Sequence, residues 1–114
     1  MPASDLDIGL ADGVGDDEYL RKLRGALAKV VESQPELIVY LAGSDPFRED
    51  QLGGLALTLE GLRQRDRLVL DAAAAAGVPV AIVLAGGYAV RVEDTVTAHA
   101  NTVVEALRAG KVAR

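Results

Sequence analysis

Asp45 follows Gly43 and Ser44 at the end of an apolar run over residues 37–42, so a lone carboxylate is delivered into the loop beyond a strand. That is where open α/β sheets hold ligands. The small residues ahead of it let the backbone turn sharply and approach a bound ion, which makes Asp45 a candidate metal ligand. An aspartate before a proline, here Pro46, is equally ordinary turn chemistry, and spacing alone does not choose between the two. A second apolar run over 78–84 ends in Ala85-Gly86-Gly87-Tyr88. Gly86 and Gly87 could turn backbone N–H groups toward an anion, although two glycines without a fuller phosphate-binding pattern are a weak signal. The Tyr88 phenol can donate to an oxyanion forming on a polarised carbonyl, and a half-buried structural tyrosine would look the same. Asp50 lies in a loop over 47–54 rich in charge and glycine, where a ligand role is the less favoured reading.

The chain has no cysteine, so any metal must be held by oxygen or imidazole. Its one histidine, His99, falls between Val96 and Val103 at helical spacing. Packing, with a hydrogen bond to a neighbouring element, is the expected role. The residues thus amount to half of an active site.

The elements that must position them follow from periodicity. Leu20, Leu23, Leu27, Val30 and Val31 recur at three- and four-residue spacing and predict a helix over 16–33. Asp16, Asp17 and Glu18 suit its start, where they can accept from free backbone N–H groups. Gln34-Pro35 stops it. The run 37–42 has the length and continuity of a strand buried in a parallel sheet. A second helix should begin near Thr58 and end before Gly77, with Leu59, Leu62, Val69, Ala73 and Ala76 on one face and Asp66 interrupting the stripe. Arg63, Arg65 and Arg67, interleaved with Gln64 and Asp66, predict a solvated face. A second strand covers 78–84, and a third helix over 92–109 is expected to turn Val96, Ala100, Val103 and Leu107 inward. A short strand over 6–10 would precede them all.

Alternating helices and strands imply an α/β fold with a parallel sheet, right-handed crossovers and helices on both faces. Two or three strands make a thin sheet with an unpaired apolar edge. The chain of 114 residues is of single-domain length. Its net charge of −5 argues against broad electrostatic binding of nucleic acid, and no apolar run approaches bilayer length. The N-terminus lacks the basic and apolar regions of a secretory signal, so a cytoplasmic location is expected.

Taken together, the segments over about residues 5–105 resemble the C-terminal part of the zinc-dependent histone deacetylase superfamily. The resemblance is carried by Leu41-Ala42-Gly43-Ser44-Asp45 with Asp50-Gln51-Leu52-Gly53, and by Leu84-Ala85-Gly86-Gly87-Tyr88. The Asp-Pro-Phe loop and His99-Ala100-Asn101-Thr102 look closest to the class IV-like branch and its bacterial acetoin-utilisation-type relatives. The resemblance implies a partial three-layer sheet of the arginase/deacetylase-like fold, with the whole of 1–114 as one C-terminal segment. It implies Asp45 as a zinc ligand, Leu52, Gly86 and Gly87 along the substrate channel, and Tyr88 as the catalytic phenol at the substrate carbonyl. Ala85 stands where the family has a first glycine.

The family's tandem histidines and its Asp-x-His ligands have no counterpart in this sequence. Zinc is therefore expected in the complete domain and not as a tight ligand of this chain alone. The implied substrates are an acetylated small molecule or an acetyl-lysine protein. The expected association is with a further copy or with the N-terminal region. Two other readings stand beside this one. A noncatalytic α/β module could dimerise through an open sheet edge, and a nucleotide-binding module could use Gly86-Gly87.

Overall fold

This computed structural model describes residues 6–43, 47, 55–84 and 92–112. The order is α1 (Asp16–Glu32), β1 (Ile38–Leu41), α2 (Leu59–Ala76), β2 (Val80–Val83) and α3 (Val92–Val112). The two strands pair in parallel, Ile38 opposite Val80 and Leu41 opposite Val83. The α/β class and the parallel sheet expected from the alternation are what the structure has. Residues 6–10 form no strand, and Leu6 and Ile8 are exposed, which corrects the expectation of a preceding strand.

The helix ends follow local chemistry. Gln34 takes a left-handed φ of 54° after the Ser33 cap, and Pro35 then prevents continuation of α1. Gly77 ends α2 at φ 70°, a conformation open to glycine without steric cost. Thr58 caps α2 by accepting from the Gly61 N–H at 2.9 Å. Asp16 does not cap its own helix as expected. Its carboxylate accepts instead from the Thr58 N–H at 2.9 Å and the Thr58 hydroxyl at 2.6 Å, tying the start of α1 to the start of α2. Gly61 lies so close beneath that carboxylate that a Cβ there would run into it.

The expected stripe on α2 is borne out at Leu62, Val69 and Ala73, which are buried. On α3 the orientation is reversed. Ala98, Thr102, Glu105 and Ala109 face inward, while Val96, Val103 and Leu107 are exposed, Leu107 by 63%. Both sets recur at helical spacing. The polar set faces α2 because Arg63, Asp66 and Arg67 of that helix meet Thr102 and Glu105 there, and polar groups enclosed at a seam need such partners. On the sheet, Ile38, Tyr40, Val80 and Ile82 are half-buried, whereas Val39 and Leu41 on the opposite face are exposed, Leu41 by 68%.

Candidate functional site

The parallel register makes both strands leave the sheet at the same end. The pairing extends one residue past β1, where the Ala42 N–H donates to the Val83 carbonyl at 2.8 Å. The segments leading to Asp45 and to Tyr88 therefore start side by side, at the carboxyl end where α/β sheets bind ligands. Asp45, Asp50, Leu52, Gly86, Gly87 and Tyr88 themselves lie outside the described residues.

A buried polar cluster sits at that end of the sheet. Arg65, 5% exposed, donates through Nη1 to the Gly43 carbonyl at 2.5 Å, directly after the Ala42–Val83 bond. The same guanidinium donates to Asp66 Oδ1 through Nε at 3.1 Å and Nη2 at 2.9 Å. Its plane lies over the Tyr40 ring, 5.6 Å from the centroid, within cation–π range. The Tyr40 hydroxyl also donates to Asp66 Oδ1, and the Thr102 hydroxyl to Asp66 Oδ2 at 2.5 Å. Asp66 is 0% exposed, and both of its oxygens are satisfied by donors from three elements. Burial pushes the Tyr40 phenol far above its usual range, with Arg65 opposing and Asp66 adding, so Tyr40 remains a donor. Burial works against the Arg65 charge, but Tyr40 and Asp66 outweigh it and hold the guanidinium cationic.

Farther along the α2–α3 seam, Glu105 is 1% exposed beneath three guanidinium groups. Arg67 grips it as a fork, Nε to Oε2 at 3.1 Å and Nη2 to Oε1 at 2.9 Å. Arg63 and Arg108 add bonds of 3.1 and 2.9 Å, and Arg108 also reaches Asp71. Hydrogen bonds from Arg67 and then, against the opposing effect of burial, from Arg108 and Arg63 hold the Glu105 carboxyl at about 2.

These clusters correct the solvated reading of the basic segment. Arg65 and Asp66 are core residues, and Arg63 and Arg67 cover a buried carboxylate. The signal was Asp66 itself, standing between Leu62 and Val69 in an apolar stripe, because a carboxylate in a core register requires buried donors. Phe47 is a core residue that its charged neighbours conceal. It is buried with Leu57, Leu62 and Ala98 and pairs as a bridge with Leu57, so the loop after Asp45 is fixed to the core there. His99 packs beside Ala98, but its Nε2 is enclosed without a hydrogen-bond partner among the described residues, unlike the bonded histidine expected.

Among the described residues no group of three or more His, Cys, Asp or Glu side chains is placed to hold a metal ion. The described residues do not fit a zinc centre by themselves.

Residues 2–105 match the family model of the histone deacetylase domain. The chain is 47% identical over 97 residues to an uncharacterized protein of Picosynechococcus sp., covering 84% of this chain and 32% of that protein. It is 38% identical over 85 residues to histone deacetylase 2 of Arabidopsis thaliana, covering 74% of this chain and 22% of that one. Acetylpolyamine aminohydrolase from Burkholderia pseudomallei matches 89% of this chain and 28% of its own with a TM-score of 0.75. At 21% identity this last is a likeness of fold. The chain spans a third or less of the length of these proteins.

Proposed function

The chain belongs to the histone deacetylase domain family, and from that premise we propose that residues 1–114 carry the C-terminal share of a zinc-dependent site that removes acetyl groups from lysine or polyamine-type substrates. Asp45 is its metal ligand and Tyr88 its oxyanion donor, with Leu52, Gly86 and Gly87 along the substrate channel. The observation that carries this reading is the parallel pairing through Leu41 and Val83, which starts the Asp45 and Tyr88 segments beside each other. Asp45 would be this chain's one ligand to the zinc of the complete site, and zinc held there would supply Lewis-acid polarisation of the acyl carbonyl. The Tyr88 phenol would donate to the acyl carbonyl oxygen as that oxygen gains charge, an interaction stronger in the transition state than with the ground-state substrate.

One carboxylate cannot impose a tetrahedral geometry on zinc. The other ligands and the general base must come from residues not present in this sequence, so the isolated chain should neither hold zinc tightly nor turn over substrate. The test is zinc titration followed by NMR, with parallel assays on an acetyl-lysine peptide and an acetylated polyamine. Weak zinc-dependent shifts centred on Asp45, lost in Asp45→Asn, and no turnover are expected. Zinc retained stoichiometrically through dialysis, with turnover abolished by Asp45→Ala, would overturn the incomplete-site argument. Zinc shifts that ignore Asp45 would overturn its assignment.

The exposure of Val39, Leu41, Val103 and Leu107 favours a second reading, a noncatalytic module that pairs with another copy through its open apolar surface. Light scattering over a range of concentrations separates the two. A dimer that persists on dilution, without any response to zinc at Asp45, would favour the module.

A further inference from the structure

We propose that Arg65 is a positioning residue, which fixes the Gly43 carbonyl so that Asp45 leaves from a held backbone. The functional meaning of this rests on the reading of Asp45 as a metal ligand, but the positioning is argued from geometry alone.

Three observations converge on the exit of β1. Arg65 Nη1 donates to the Gly43 carbonyl at 2.5 Å. The guanidinium is itself fixed, because Asp66 takes its Nε and Nη2 and the Tyr40 ring lies against its face. Asp66 in turn is held from β1 by Tyr40 and from α3 by Thr102, so the donor that meets Gly43 is referenced to three elements at once. On the far side of Asp45 the chain is anchored again, where buried Phe47 bridges to Leu57. Gly43 and Phe47, the described residues that flank Asp45 in the sequence, are therefore both fixed.

Stability does not account for this arrangement. A buried ion pair is often no better than well-packed apolar residues of similar volume, because desolvation cancels much of its attraction. An apolar residue at 65 could fill the same space, yet it would leave the Gly43 carbonyl without its donor. What the guanidinium supplies is direction. Its planar fork can bind a carboxylate along one edge and a carbonyl along another, which an ammonium cannot do with the same geometry.

The experiment is NMR on the full chain without metal, comparing the native sequence with Arg65→Lys and with Arg65→Met combined with Asp66→Asn. The second variant avoids stranding a buried charge and keeps the question open should Arg65→Met alone fail to fold. In both variants the Gly43 carbonyl carbon shift should move. In the Met/Asn variant, the backbone order parameter at Gly43 should fall from about 0.85 to below about 0.6, with Lys intermediate. The amides of Leu62 and Val69 should keep their native order, a contrast that a purely global loss of stability would not produce. Unchanged order at Gly43 and an unchanged Gly43 carbonyl shift in either folded variant would overturn the proposal. Because no metal is used, this result stands whether or not zinc proves to bind Asp45.

Discussion

Asp66 and Glu105 are both enclosed carboxylates on the seam between α2 and α3, and they are enclosed in different ways. Asp66 collects one guanidinium and two hydroxyls from β1, α2 and α3, deep beside the sheet. Glu105 collects three guanidinium groups whose outer edges reach solvent, on Arg63, Arg67 and Arg108. The first arrangement is short of charge and rich in fixed directions, and it ends on the backbone from which Asp45 departs. The second is rich in charge and joins two helices without touching the sheet's ligand end. Similar burial thus serves position in one place and cohesion in the other.

The largest expected effect is on the Asp66 side. Asp66→Ala leaves Arg65 buried without its carboxylate, and an uncompensated buried charge costs on the order of 3–5 kcal/mol. Urea unfolding should show that loss, and it should change little between 0.1 and 1 M salt because the pair is shielded from solvent ions. A loss that fades with salt would mean that Asp66 is solvated and that the contrast is false.

Glu105→Gln should cost less, because the guanidinium groups around it reach solvent, and the cost should shrink in high salt. Its pH dependence has a defined sign. The folded carboxyl sits at about 2 against an ordinary 4.5, so its contribution is present in full above about 4.5. That contribution is lost as pH falls from there toward about 2. In Glu105→Gln this part of the acid destabilisation should be missing from chemical denaturation curves taken across that window. Thr102→Val, which keeps the shape and removes one donor to Asp66 Oδ2, should cost the least, about 1 kcal/mol. A larger loss there than in Glu105→Gln would reverse the ranking.

Much of this was legible before any coordinates. The α1 stop at Gln34-Pro35, the Gly77 stop of α2 and the two strand runs follow from local chemistry, and the structure places each where periodicity and turn residues put it. The α3 face was not legible, because Val96-Val103-Leu107 and Ala98-Thr102-Glu105 satisfy the same helical period and hydrophobicity favours the wrong one. The choice was made by residues 36 to 42 positions away, the arginines and Asp66 of α2, and pair information of that kind is absent from a single helix. Arg65 was hidden for a similar reason. A basic residue among charges normally faces water, and only the conflict of Asp66 with its own stripe marked the segment as core. Phe47 was absorbed into a loop because its neighbours are charged, although a lone aromatic between glycine-rich turns is well suited to anchor them. The motif residues Asp45 and Tyr88 were legible as types in order, and the strand register adds that their segments begin together.

The most direct measurement exploits the absence of cysteine. A nitroxide attached at Asp45→Cys should broaden the amide of Tyr88 more strongly than that of Val78. Val78 lies two residues before the start of β2, beyond the opposite end of a four-residue strand about 13 Å long. Tyr88 broadened more than Val78 is the result required if the two segments share one end of the sheet and face one site. Val78 broadened more than Tyr88 would separate the carboxylate from the phenol and contradict the proposed site.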